Sequence, residues 1–494
     1  LAFAALAASL TVTACTLGPD YKPLAAPVPI KYKELKGWKL ATPSDALDRG
    51  NWWSLYHDKK LDYLLRQVEV SNQTVAAQAA AYEQARALIR EAQSALFPLL
   101  TGNYSVTRTG TGANVGGGVA TAAGRAIYTT TYTPQLSGSW DLDVWGKVRR
   151  QIEANASAAQ ASAADLANVK LSQQALLATA YFNIRAADSL SDLLTRTVIE
   201  YRKTFRVVND QFKLGYGPTA PGITKADVAA AQAQLLNAQA QLINVGVTRT
   251  QNEHAVALLI GRQPAELSIG RFGLYGSIPR IPVTVPSTLL ERRPDIAAAE
   301  RAMQQENALI GVAEAAFFPD ISLSGMLQWM GRNPLPFSAA NQLWSLGAAA
   351  SQPLFDGGLR SAELDAARAA YWQSVANYRL TVLTAFEQVE NQLAAIHILR
   401  QQVAVAERAA AQQRIAVTTY EDQLNHGLIA YPTVATAQIT LLNDQQAVLT
   451  ARQNLFLASV NLIEALGGTW DTTLLPSRKE LEKSFSLLPQ LPTQ

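Results

Sequence analysis

The chain has 494 residues, a formal net charge of +3 and 16% charged side chains. No strong basic field points to nucleic acid, and the single cysteine, Cys15, excludes a disulfide within one chain. The length admits several ordinary domains, but events along the chain repeat, which argues for one elongated body of two similar halves.

Residues 1–10 are apolar, too few to span a bilayer, and lead into Val12-Thr13-Ala14-Cys15. Residues 1–14 read as an export signal, incomplete at its N-terminal end. Val-Thr-Ala-Cys resembles the bacterial lipoprotein box, in which the cysteine becomes residue one and carries acyl chains; Thr16 after it, where an Asp retains such proteins at the inner membrane, points to the outer one. Residues 15–57, with Pro19, Pro23, Pro27, Pro29 and Pro43, read as an extended lead-in. A helical pattern runs from Leu61 to Ala95 and stops before Pro98. Apolar and polar residues then alternate over 100–107, a Gly-rich loop covers 110–124, and strict alternation returns over 128–144. That run exceeds the usual strand of about 5–6 residues and the roughly 9–11 that a membrane-spanning strand needs. Residues 147–214 contain no Gly or Pro and are closed by Gly215. At about 1.5 Å per residue they predict a helix roughly 100 Å long, where an ordinary helix has about 10–14 residues. A return helix follows over about 224–260.

The second half repeats this order. Phe317-Phe318-Pro319 echoes Leu96-Phe97-Pro98, strands are predicted at 321–329 and 344–351, and residues 359–426 again lack Gly and Pro and end at Gly427. A second return helix is predicted over about 433–466. The expected division is therefore 58–269 and 289–470 for the two repeats, 270–288 for a Gly- and Pro-rich linker, and 471–494 for a tail.

Each half supplies one long hairpin. The apolar faces carry Tyr128, Tyr132, Trp140, Trp329 and Trp344, as lipid-facing strands do near bilayer interfaces. In hydrocarbon every backbone N–H and C=O needs a partner, so a sheet must close on itself. Four strands cannot enclose a channel, since the smallest such barrels have about eight. Several copies must share one barrel, and the polar inward residues suit a water-filled tube of twelve strands from three copies better than a filled one of eight. A soluble sheet with one wet face explains the alternation by itself. A structural coiled coil explains the helices by themselves, although sustained a/d heptads with e/g charges are missing.

No catalytic constellation is visible, so no enzyme activity is expected. The four histidines, His57, His254, His397 and His426, show no metal-ligand spacing, and the Gly-rich run lacks a phosphate-loop lysine. Three methionines argue against a Met-lined copper path.

Several segments resemble the outer membrane efflux protein family, TolC-like channels of the OprM/NodT-type lipoprotein branch. They are Cys15-Thr16-Leu17-Gly18-Pro19-Asp20-Tyr21-Lys22-Pro23, Trp52-Trp53 with Tyr56, Asp58 and Leu61, Gln84-Ala85-Arg86-Ala87, and Ala226-Asp227-Val228-Ala229 with Gln234-Leu235. The most distinctive is Leu290-Glu291-Arg292-Arg293-Pro294-Asp295-Ile296 with Ala299-Glu300. The resemblance runs from Cys15 to about Trp470. It implies a membrane α+β fold: a homotrimeric 12-stranded outer-membrane β-barrel, continuous with a periplasmic α-helical barrel girdled by a small mixed domain. It implies a passive conduit exporting drugs or other small toxic compounds, docked to a periplasmic membrane-fusion adaptor and an inner-membrane pump of the resistance–nodulation–division (RND) type. Diacylglycerol and an N-acyl chain are expected on Cys15, and no other cofactor. A type I polypeptide secretion channel, which shares the fold, is the alternative. The resemblance places adaptor contact at Gly215, Tyr216, Gly217, Gly427 and Leu428, and a pore gate at Asp227. Where relatives read Leu-Asp-Ala-Gln-Arg, this chain has Ala435-Thr436-Ala437-Gln438-Ile439. A gate closed by tip packing and Asp227, without a second-half ion pair, is therefore expected.

Overall fold

The computed structural model describes residues 16–24, 29, 31–34, 51–111, 127–214, 223–279, 281 and 291–483. In chain order the elements are α1 (Lys59–Ser71), α2 (Gln73–Ser94), β1 (Leu99–Thr111), β2 (Ile127–Asp141), α3 (Lys147–Lys213) and α4 (Lys225–Leu259). The second half gives α5 (Pro294–Ala315), β3 (Asp320–Trp329), β4 (Gln342–Ser351), α6 (Leu359–Asn425), α7 (Tyr431–Ala465) and the short α8 (Arg478–Glu482). The two long helices, α3 and α6, have 67 residues each, and the two return helices, α4 and α7, have 35 each.

The single helical pattern expected over 61–95 is two helices. Asn72 stands between them with extended backbone, and its Oδ1 accepts from the Val75 N–H at the start of α2. Its Nδ2 donates to the Leu259 carbonyl at the end of α4, 2.7 Å away, so the break is fixed by a neighbouring helix end. The second strand ends three residues earlier than its alternation predicted. Asp143 is drawn off to accept from the backbone N–H groups of Val148 and Arg149, supplying the acceptors the first turn of α3 lacks. The return helix α7 starts at Tyr431, two residues ahead of the expected start, with Pro432 in its first turn, where the missing N–H costs nothing.

The helices lie side by side in two tiers that share α3 and α6. Towards the sheet the order is α2, α3, α5, α6; at the other end it is α4, α3, α7, α6. The main core sits between the tiers, where α4 and α7 end. Trp52, Trp53, Tyr181 and Phe456 are buried there with Leu61, Leu64 and Val68 of α1, with Ile269 and with Leu274 of the linker. This is the girdle, and it is built from short segments laid on the long helices.

The strands form one sheet in the order β1-β2-β3-β4, antiparallel throughout. Among the described residues, β1 and β4 each pair on one side only.

Candidate functional site

The register fixes the two faces of the sheet. Tyr132 opposes Val106, Trp140 opposes Leu323, and Leu327 opposes Trp344. Directly opposed residues share a face, so Tyr128, Tyr132, Trp140, Trp329 and Trp344 all stand on one side, with Leu100, Tyr104 and Leu136. The other side carries Thr129, Thr131, Thr133, Gln135, Ser137, Ser322, Ser324 and Gln328. Tyr128 is 67% exposed and Trp344 65%, whereas Tyr132, Trp140 and Trp329 are partly covered by their own chain. A sheet apolar on one side, polar on the other and open at both edges divides lipid from water only when further strands complete it.

Below the sheet, two tryptophans bolt it to the helices. Trp140 donates from Nε1 to the Leu96 carbonyl (3.0 Å), and Trp145 donates to the Pro319 carbonyl (2.8 Å) while its ring lies 4.9 Å from that of Phe318. The two Phe-Pro turns seen as a sequence echo are the acceptors of the two halves. Asp143 pairs with Arg149 at 3.0 Å, and Asp356 with Arg360 at 2.6 Å. Arg360, followed by the Gly358 N–H, holds the Asp356 carboxyl below its ordinary range.

The N-terminal segment ends against this junction. Leu17 N–H donates to the Trp145 carbonyl (3.2 Å), and the buried Arg150 side chain donates to the carbonyls of Leu17 (2.9 Å) and Gly18 (3.0 Å) and to Asp20 (3.0 Å). Asn307 on α5 donates to the Pro19 carbonyl at 2.8 Å. Gly18, at φ +93°, lies so close to Gly311 that a Cβ would collide with the Gly311 backbone. The residue after Cys15 is thus held just under the sheet; Cys15 itself lies outside the described residues.

At the far end, Gly427 takes φ +67° and closes α6. Its N–H donates to the Leu424 carbonyl, and the Leu428 N–H to that of Gln423, both at 2.9 Å, which satisfies the last carbonyls of the helix. Leu428 is 72% exposed. Gly215, Tyr216 and Gly217 lie outside the described residues. Gln211 of α3 donates to the Leu424 carbonyl of α6 at 3.0 Å, tying the two long helices where they end.

Asp227 is the third residue of α4 and closes a capping box. Its Oδ2 accepts from the Thr224 N–H (2.8 Å) and hydroxyl (2.6 Å), while its own N–H donates to that hydroxyl oxygen (3.2 Å). About two turns along α4, a largely uncharged network crosses four helices. Tyr431 donates to Gln234 (2.7 Å), and the Gln438 amide donates to Thr204 (2.9 Å) and Glu421 (2.7 Å). Tyr201 donates to the Gln438 carbonyl at 3.2 Å. Val208, Ala231, Leu424 and Val434 are buried around it. Burial above all, then Tyr201 and Asp227, pushes the Tyr431 phenol up to about 12. These network residues were not singled out from sequence. The signals were Gln234, in the segment Gln234-Leu235, and Gln438, inside the segment that departs from the expected Leu-Asp-Ala-Gln-Arg.

The distinctive run around Arg293 sits in the girdle. Arg293 makes a two-pronged contact with Asp295 (2.9 and 2.6 Å) and donates to Gln388 of α6 (2.9 Å) and to the Ala465 carbonyl at the end of α7 (3.0 Å). Gly467, at φ +85°, passes so near the Arg292 carbonyl that any side chain would collide with it. Among the described residues no group of three or more His, Cys, Asp or Glu side chains is placed to hold a metal ion. No helix among them is long and apolar enough to cross a membrane.

The outer membrane efflux protein family matches residues 64–262 and 285–468. The cation efflux system protein CusC of Escherichia coli O6:H1 is 28% identical over 474 residues, covering 94% of this chain and 97% of that protein. The toluene efflux pump outer membrane protein TtgC of Pseudomonas putida is 28% identical over 472 residues, covering 94% and 95%. Among solved structures, the outer-membrane channel OprN aligns with a TM-score of 0.80 at 26% identity over 92% of this chain and 99% of that one. The open state of the Neisseria gonorrhoeae MtrE outer membrane channel aligns at 0.78 and 25% identity over 93% and 99%.

Proposed function

Since this chain belongs to the outer membrane efflux protein family, we propose that it is the exit duct of a tripartite pump, loaded through a periplasmic adaptor by an inner-membrane RND-type transporter. It is an efflux channel of the outer membrane that extends into the periplasm, and it is not an enzyme. The observation that carries the reading is the four-stranded sheet, aromatic outside, hydroxyl-lined inside and open at both edges, continuous with two 67-residue helices. Three copies supply twelve strands and close one barrel, with β4 of each copy against β1 of the next. The helices prolong the tube, and the pump supplies the energy.

The cargo proposed is small toxic organic compounds. The relatives carry names for cation and for toluene export. The inward strand face here offers Thr, Ser and Gln with one soft ligand, Met326, which favours passage of organic solutes over a metal relay. Choice among them rests with the pump.

Cys15 is the proposed acylation site, with diacylglycerol and an N-acyl chain. The strap from Thr16 to Asp20 supports this, because the residues that follow the cysteine are held at the membrane-proximal end of the helices. The adaptor is proposed to grip the tips at Gly215, Tyr216, Gly217, Gly427 and Leu428. The gate is proposed to close by tip packing, with Asp227 setting the start of α4. Expressed with its adaptor and pump in an efflux-deficient strain, the chain should restore resistance, and Gly427→Pro should remove it while trimers persist. Unaltered resistance in that variant refutes the tip contact. Export of a polypeptide with no gain in resistance would assign type I secretion instead.

A further inference from the structure

Charge on the barrel is sorted by height. Across residues 99–141 and 320–351 the acids are Asp141 and Asp320, both at the helix end of their strands. At the opposite end stand Arg108, opposite Thr130, and Arg332, just past the Gly331 that bonds to Tyr132. The sequence between β1 and β2 adds Arg125 and no acid. The exterior end therefore has guanidinium groups and no carboxylate to neutralise them.

Arg108 is placed on the lipid side. It shares a face with Tyr104 and Val106, its guanidinium lies 5.4 Å from the centre of the Tyr128 ring, and it is the only charged residue on that face of the described strands. The turn after β3 bends towards the same side. Tyr104 donates to the Pro334 carbonyl at 2.7 Å, and Phe337 stacks edge-on against Trp329 at 5.2 Å. Leu335 and Phe337 stay 73% and 58% exposed. Apolar side chains directed at acyl chains, with arginine at headgroup height, make an interfacial rim. Arginine matches phosphate with paired hydrogen bonds, which lysine cannot do.

We propose that Arg108 and Arg332 bind the phosphate groups of the anionic glycolipid in the outer leaflet. The proposal rests on the outer-membrane reading above. With strands about 4.8 Å apart, Arg332 stands two strands, roughly 10 Å, from Arg108 of its own copy and, across the β4–β1 seam, about as far from Arg108 of the next. Each seam thus offers a cluster of positive groups to a multiply phosphorylated headgroup.

The test compares wild-type trimers with the pair Arg108→Gln and Arg332→Gln and with the pair Arg108→Lys and Arg332→Lys. Lipopolysaccharide retained through detergent purification is quantified by mass spectrometry. Rebinding is then measured to phosphatidylethanolamine vesicles containing lipopolysaccharide or its enzymatically dephosphorylated form. The Gln pair should retain on the order of tenfold less, and the Lys pair should fall between it and wild type. Wild type should bind the dephosphorylated lipid as weakly as the Gln pair binds the intact one, and inorganic phosphate should not displace it. Equal retention by wild type and the Gln pair overturns the proposal, as does indifference to dephosphorylation or displacement by inorganic phosphate. If the Gln pair does not assemble, the dephosphorylated arm on wild type decides. Single-channel conductance of the same wild-type sample reports on the channel reading separately.

Discussion

Arg293 joins three helices through one guanidinium, and its neighbours show what that junction costs. Glu464, beside the Arg293 contact on α7, has its carboxyl raised by burial, and Asp165 on α3 is raised by burial and then by Asp295. A raised carboxyl favours the protonated fold. Its stabilising effect is complete below the unfolded value of about 4.3 and is lost as pH rises through the higher folded value. Glu464→Gln, which cannot ionise, should therefore raise the thermal midpoint at neutral pH and leave it unchanged near pH ~3.5. Equal shifts at both pH values, read by melting, contradict the assignment. Asp188 anchors a second junction. It is 3% exposed, accepts from Arg249 (2.8 Å) and from the Phe272 N–H (3.0 Å), and so pins the linker to α3. Asp188→Ala takes the acceptor from the Phe272 N–H and leaves Arg249 with Glu253 and the Ile269 carbonyl; it should cost about 1–3 kcal/mol, visible in denaturant unfolding together with proteolytic nicking of the linker.

The long helices and the strands were legible because their signals are local. Absence of Gly and Pro over 147–214 and 359–426 leaves nothing to stop a helix, and Gly146 and Gly358, both at positive φ, mark their starts. Strict alternation in β2 predicted its faces, which the register then matched to β3 and β4. The break at Asn72 was not legible, since its decisive partner is Leu259, 187 residues away. The tip network escaped for the same reason: Gln438 meets Thr204 across 234 residues, and Tyr431 meets Gln234 across 197. The run holding Arg293 is distinctive in the sequence, but its task depends on Gln388 and Ala465, which no spacing rule connects to it. At this scale the tips are where loss of hydrogen bonds should change permeation. Tyr431→Phe together with Gln438→Leu should raise single-channel conductance in planar bilayers, with trimers intact. Asp227→Ala removes the side-chain half of the capping box, a feature worth about 0.5–2 kcal/mol in such caps, and should raise conductance as well. Unchanged conductance in both rejects a seal at this level.

The whole molecule is incomplete as a single copy. The outer edges of β1 and β4 carry backbone groups with no partner among the described strands. The helical layer likewise ends in α2 and α4 on one side and α6 on the other. Along α6, Leu380, Leu383, Ile398, Val405 and Ile415 are more than half exposed, a run of apolar side chains with no cover from their own chain. Burying that run and pairing the strand edges calls for the same partner, the next copy, so barrel and helical tube should assemble together. Counting chains per conducting particle tests this most directly, by native mass spectrometry of the detergent-solubilised channel followed by conductance of the same fraction. The account predicts that conductance belongs to the three-chain species alone. A single chain that stays soluble without detergent, or that conducts by itself, contradicts it.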